Sequence, residues 1–255
     1  MSSISSINNS LYSSYSHLSS GKKLNSAADG AAELSIVQKM DAQTRGYNAG
    51  TNNMQSGKDL LNVSDAALGH ISDYLQSIRE LSVQASNSAI YSDSDLSTIQ
   101  DQIDQYKQGI SDIASQTQFN TKNLLDGSNT SFDMATNANG STTTINTADA
   151  TLQALGIDGY NVTGNFDIDT IDKALEKVNS ARSKGGAQYN ALTYAINNNS
   201  YTALNTTAAS SRLEDLDYPK AISDLKKQQL LQTYTYMMQK KQQEHKASQF
   251  NLLFK

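Results

Sequence analysis

The apolar positions of this chain recur at helical spacing almost from end to end, but in thin stripes. Ile4, Ile7, Leu11, Tyr15 and Leu18 follow at intervals of 3, 4, 4 and 3 in a background of serine and asparagine. The spacing predicts a helix, yet the background residues are poor helix formers, so residues 1–20 read as an amphipathic segment awaiting a partner. From residue 34 to residue 88 the pattern is again helical. Leu61, Leu68, Ile71, Leu75, Ile78 and Ala85 fit an alternating spacing of 3 and 4, with Ser64 and Ser82 filling two seam positions. This is a coiled-coil-like seam with small polar interruptions. Ser92 or Asp93 then caps a second helix, in which Leu96, Ile99, Ile103, Tyr106, Ile110 and Ile113 hold the register without a break.

After Phe119 the pattern changes. NTKNLLDGSNTSFDMATNANGSTTTINT carries Asp-Gly and Asn-Gly turn signals among threonine-rich, β-prone runs, so residues 118–165 read as a short β-rich or irregular excursion. A third helical run covers 168–212, with Ile171, Leu175, Val178, Tyr189, Leu192 and Ile196 in one heptad phase. Gly185 and Gly186 interrupt it at roughly 1 kcal/mol each relative to Ala, which suggests close packing or a tolerated bend. Pro219 is expected to end that run. The last segment, 220–255, carries Ile222, Leu225, Leu230, Leu231, Tyr234 and Met238, then basic KKQQEHK, then FNLLF. The fold class is mainly α: long coiled-coil-like helices, a small β-hairpin-rich insert, and marginal terminal segments that pair with each other or with copies of themselves.

Composition narrows this picture. Hydrophobic residues are 37% of the 255 and the mean hydropathy is −0.54, which suits thin seams between helices better than one thick core. The net charge is only −5, and no basic stripe with interleaved aromatics suggests nucleic acid as a partner. There is no cysteine, which removes disulfides, thiolate catalysis and cysteine zinc sites together. No stretch reaches the roughly 18 apolar residues of a membrane span. The N-terminus lacks a basic n-region and an apolar h-region, so any export is expected to bypass the ordinary cleaved signal.

Candidate chemistry is sparse. His17, His70 and His245 fall in no HExxH arrangement and read as surface or packing histidines. Gly21-Lys22 lacks the upstream glycine of a phosphate loop, and neither GxGxxG nor GxSxG occurs. The carboxylate groups Asp93/Asp95, Asp101/Asp104 and Asp167/Asp169/Asp172 read as helix caps and solvated faces. DIDTID lacks the central Gly and terminal Glu of a calcium loop. No catalytic, cofactor or metal residue is assigned, and the basic 240–246 run reads as an exposed helix end.

Five stretches, in order along the chain, resemble bacterial flagellin. LSSGKKLNSAADGAAELSI (18–36) is similar to the family's N-terminal LSSG signature, and IRELSVQASN (78–87) to its R-E-L-x-V-Q helix. QTQFNTKNLLDGS (116–128) resembles the T-x-F-N-x-x-x-L-L-D-G stretch. VNSARSKGGAQYNALTYAINN (178–198) and SRLEDLDY (211–218) resemble the family's C-terminal helix and the run that follows it. The resemblance implies a structural subunit, not an enzyme, that is secreted through the flagellar type III apparatus and polymerises into the motility filament of the bacterial flagellum. It implies filament-core segments at 1–20 and 220–255, and a tube domain made of 21–165 and 166–219. It implies as partners the chain itself, an export chaperone and cap proteins.

The chain departs from the family at both ends. The segment before LSSG is shorter by about four or five helical turns, and QQEHKASQFNLLFK replaces the usual C-terminal motif. A reduced inner layer or a specialised paralogue is the expectation. A hook–filament junction protein is the alternative within the same system, against which the intact RELSVQ and TQFN…LLDG stretches argue. A secreted helical binding module on the same fold is the alternative of another class.

The stretch QSIRELSVQASNS (76–88) has apolar and charged groups all round. With the seam on Leu75, Ile78, Ser82 and Ala85, helical geometry puts Ser77, Glu80, Leu81 and Gln84 along one flank and Arg79 and Val83 on the other. These outward residues are expected to form an assembly surface. The resemblance also implies recognition of this helix by the host's flagellin-sensing Toll-like receptor, through the positions of Arg79, Glu80, Leu81 and Gln84. Ser77 stands where the motif has its first Arg, and Gln102 where it has an acidic residue, so weakened recognition is expected.

Overall fold

The computed structural model describes residues 2–87 and 90–253. Ile4 and the apolar positions after Phe250 lie outside the described side chains. The elements run α1 (Ser2–Ser20), α2 (Ala27–Ala85), α3 (Asp93–Gln116), β1 (Gln118–Phe119), β2 (Lys122–Asn123), β3 (Ser131–Ala135), β4 (Thr142–Asn146), α4 (Leu152–Leu155), α5 (Asp169–Glu214) and α6 (Tyr218–Leu253). The chain forms two compact units, one of residues 44–203 and one that joins residues up to 43 with those from 204 on. The mainly helical class with a small hairpin region is as the sequence predicts.

The 44–203 unit is organised by the three predicted seams. Ile71, Leu75 and Ile78 of α2, Ile103 and Ile110 of α3, and Ile171 of α5 are fully buried in one core. Leu96, Tyr106, Ile113, Leu175, Tyr189 and Ile196 pack against it from the edges. Ser92 is the cap of α3: its hydroxyl accepts from the Asp95 amide, and the Asp95 carboxylate accepts from the Ser92 amide at 3.0 Å. This reciprocal box satisfies two donors that a helix start otherwise leaves open.

The 118–165 excursion holds two separate antiparallel hairpins, β1–β2 and β3–β4, and then the single-turn helix α4. Its last third is not strand. Residues 156–166 are a loop docked on the helices by Ile157 and Val162, both fully buried in the core, and by polar groups. Gln100 is buried, its Oε1 accepts from Val162 N at 2.8 Å, and Tyr160 donates to the Ser82 hydroxyl at 2.9 Å. Burial pushes the Tyr160 hydroxyl's pKa up, against the pull of its bond to Ser82. The polar seam position Ser82 is therefore a docking point for a residue 78 positions away.

The β3–β4 tip rests on a glycine track along α2. A methyl group at Gly46 would run into Ala138, and one at Gly50 into the Thr136 carbonyl. Asn53 and Asn199 secure the same hairpin, donating to Ala135 O at 3.1 Å and Thr136 O at 2.6 Å. Gly185 and Gly186 serve no such purpose. α5 runs through them as continuous helix, a methyl at Gly185 would reach only ordinary contact with Leu61, and one at Gly186 would meet nothing within 4 Å.

Two boundaries differ from the sequence reading. α2 starts at Ala27, ahead of residue 34, with a first turn set off by the extended backbone of Gly30. Pro219 does not end α5, which stops at Glu214; it sits in the first turn of α6, where its missing N–H costs no bond. The two glycine classes give opposite predictions. Gly186→Ala will raise unfolding free energy by about 1 kcal/mol, whereas Gly50→Ala will lower it by about 1–3 kcal/mol through overpacking; denaturant titration of both variants checks this.

Candidate functional site

Among the described residues no group of His, Asp or Glu side chains is arranged to hold a metal ion. In the groove between α2, α5 and the 146–156 segment, two of the lining cations are committed within the chain. Lys177 donates to Ala154 O at 2.8 Å, and Arg182 pairs with Asp65 at 2.9 Å. The features left for function are surfaces, and the unit that joins both ends of the chain carries the most unusual one.

In that unit the loops on either side of the terminal helices are stitched together. Lys22 forms an antiparallel bridge with Asp215, Lys23 N donates to Glu214 O at 2.7 Å, and Leu216 N donates to Gly21 O at 2.9 Å. Lys22 also pairs with Glu214 at 2.5 Å, and this bond is the main cause raising its pKa. Gly21 has φ +71°, and a side chain there would press on the Tyr218 hydroxyl, which donates to Leu18 O. On the far side of the loop Asp29 accepts from the amides of Asn25 and Ser26 at 3.0 and 2.7 Å. These bonds, the Ser26 amide's first, hold the Asp29 carboxyl below its usual range.

Beyond the stitch, α1 and α6 pair antiparallel. Leu11 is buried between them at 7% exposure, with Ile7, Asn8, Ser14 and Leu18 half-buried on the same side of α1. The facing stripe of α6 is mostly polar: Ala221, Leu225, Gln228, Gln232, Thr235 and Gln239. Polar rungs join the helices, with Ser14 donating to Gln228 at 2.9 Å, Gln229 to Tyr15 at 2.8 Å and Gln232 to Asn8 at 2.7 Å. Of the apolar stripe read from the sequence, only Leu225 reaches this seam. Ile222, Leu230, Leu231, Tyr234 and Met238 are exposed, joined by Met237, and Tyr15 is exposed as well.

The α2 face behaves differently. Leu75, Ile78, Ser82 and Ala85 are buried as the spacing predicts, and Glu80, Val83 and Gln84 are exposed. The exposed Arg79 guanidinium donates to Asp172 of α5 at 2.6 Å, which raises its pKa. Leu81 packs partly against the core, and the half-buried Ser77 turns its hydroxyl back to Asp73 O. Gln102 is exposed on another helix, α3. The expected outward set is thus divided between exposed groups and groups engaged within the chain.

Residues 1–130 match the family description "Bacterial flagellin N-terminal helical region", and residues 168–253 match "Bacterial flagellin C-terminal helical region". The chain is 34% identical to the flagellin of Bacillus subtilis, over 89% of this chain and 88% of that one. The chain belongs to the bacterial flagellins. It is also 34% identical to the flagellar filament 33 kDa core protein of Treponema phagedenis, over 84% of this chain and 82% of that one. Bacillus cereus flagellin has a similar crystal structure, with TM-score 0.51 and 30% identity over 58% of this chain and 88% of that one. A putative flagellar hook-associated protein of Vibrio parahaemolyticus shares the fold at TM-score 0.61, with 18% identity over 73% of this chain and all of that one.

Placed on the structure, the two flagellin stretches at 18–36 and 211–218 meet in the loop stitch. The sequence showed them as separate motifs, and the pairings Lys22 with Glu214 and Arg79 with Asp172 carried no local signal. The cap residue Asp29 yields a pH test. Its folded pKa is lowered, so its contribution is complete above the ordinary carboxylate value and is lost as pH falls through the lowered one. Asp29→Asn will therefore be less stable than the unmodified chain at neutral pH, with the gap closing below about pH 4; thermal midpoints across a pH series check this.

Proposed function

We propose that the chain is a structural subunit of the bacterial flagellar filament, exported by the type III route with the help of a chaperone and assembled beneath cap proteins. The observation that carries this reading is the α1/α6 pair. Its inner seam is held by polar rungs, while Leu230, Leu231, Tyr234, Met237 and Met238 face away from α1, bracketed by Lys226, Lys227, Lys240 and Lys241. Covering a Leu or Met side chain is worth about 1.5–3 kcal/mol, and the pair itself has nothing to cover these with. Neighbouring copies supply the cover. Head-to-tail contacts of this kind that do not close on themselves generate a helical filament. In this reading 1–20 and 220–255 form the filament-core layer, and 21–165 with 166–219 form the tube around it.

Removal of residues 1–20 or 221–255 will abolish filaments and leave residues 44–203 helical. Electron microscopy and circular dichroism of both truncations test this; filaments without either end, or loss of all helix in both truncations, would refute it.

For the host receptor we infer a weakened match. Ser77 and Gln102 are neutral where the family motif is charged, and Arg79 is already held by Asp172. A lost charge-assisted contact at an interface centre costs about 2 kcal/mol or more. Ser77→Arg with Gln102→Glu will raise signalling in a Toll-like-receptor reporter cell. Full potency of the unmodified chain at ordinary flagellin doses is the result that sinks this part.

A further inference from the structure

The tip of the β3–β4 hairpin presents the one Asn-Gly pair of the chain, Asn139-Gly140. Both residues are exposed. The turn is organised by the preceding asparagine: Asn137 Oδ1 accepts from Asn139 N at 3.0 Å and from Ser141 N at 3.1 Å. Thr136 N donates to Ser141 O at 2.8 Å and closes the hairpin behind it. The Asn139 carboxamide itself has no hydrogen-bond partner among the described residues. Gly140 has φ +77°, open space where a side chain would stand, and an amide held only by a 3.4 Å bond to Asn137 O.

We infer that Asn139 is a site of spontaneous backbone-assisted deamidation in the folded chain. The Gly140 amide nitrogen attacks Cγ of Asn139, forming a C–N bond and a five-membered succinimide. The Cγ–Nδ2 bond breaks, and ammonia leaves with the proton that Gly140 gives up. Water then opens the ring at either carbonyl, leaving aspartate or, with the chain rerouted through Cβ, isoaspartate. A side chain at residue 140 would hinder the attack, and a tightly bonded amide would resist it; Gly140 has neither obstacle.

The other Asx-Gly pairs are less reactive for visible reasons. All three carry a carboxylate, a poor acyl acceptor at neutral pH: Asp29-Gly30, Asp126-Gly127 and Asp158-Gly159. Asp29 is occupied as a helix cap, and Asp126 accepts from Ser128 N at 2.9 Å and from Asn123 at 2.6 Å. The reaction at residue 139 has a structural consequence. It places a negative charge on the tip, and the isoaspartyl form adds a backbone carbon between the two amides that Asn137 gathers. The register that seats Ala138 on Gly46 depends on that spacing.

The test is peptide mapping of the full-length soluble chain after incubation in mildly alkaline buffer. The carboxamide-to-carboxylate mass change is read at each asparagine, and isoaspartate by enzymatic methyl labelling. Residue 139 is expected to convert about tenfold faster than any other asparagine, at a rate within about threefold of the same site in denaturant. Asn139→Gln will remove the fast phase, because its ring closure needs a larger and slower-forming imide. An unreacted Asn139 while other asparagines convert would overturn the inference. So would a folded chain more than about tenfold slower at this site than the unfolded one, or a fast phase that survives Asn139→Gln.

Discussion

The constraint on which the rest depends is the narrowness of the apolar seam. In a chain with 37% hydrophobic residues, the buried large side chains form one shared core between α2, α3, α5 and the 118–165 segment. Ile71, Leu75, Ile78, Ile103, Ile110 and Ile171 are fully buried in it, and Leu124, Leu125, Ile145, Ile157 and Val162 of the 118–165 segment join them. Directional groups then fix how the elements sit on that core: a capping box at Ser92, the buried Gln100 under the 156–166 loop, and glycines that let the hairpin lie close to α2. Each of these is directional, so each fixes one arrangement where further apolar area would tolerate several.

The same scarcity shapes the ends of the chain. α1 and α6 place Leu11, Leu225 and a row of amides and hydroxyls between them. Such a seam specifies register more than it stabilises, since hydrogen bonds that are exposed or only part-buried exchange with ones to water. Most of the large side chains of α6 are left exposed on the outside. Helices that are marginal alone become stable when an amphipathic face is buried against a partner, here each other. The loop stitch at Lys22 and Asp215 holds the two ends together within the chain.

Arg79 shows how a surface residue changes meaning once its surroundings are known. Within α2 it looks like an outward charge beside a seam. In the fold it reaches Asp172, one of the carboxylates that from sequence read only as a cap or solvated face. An ion pair this exposed contributes little to stability. It does orient the guanidinium beside the exposed Glu80, Val83 and Gln84.

The periodicity by itself determined the three long helices, their buried faces, the cap of α3 to within one residue, and a turn-rich insert at 118–165. These rest on interactions between residues close in sequence, where spacing of 3 and 4 reports one helix face directly. Five distinct motifs in order along the chain likewise sufficed to suggest the family. Only the tertiary structure decided which side of α6 meets α1, because a helix with apolar residues around much of its circumference has no single preferred face. It also decided that the glycines needed for close packing are Gly46 and Gly50, where a carbonyl and a methyl group approach from residues 136 and 138, and not Gly185 and Gly186. Contacts between groups far apart along the chain depend on how the elements are arranged in space, and local pattern carries no record of that.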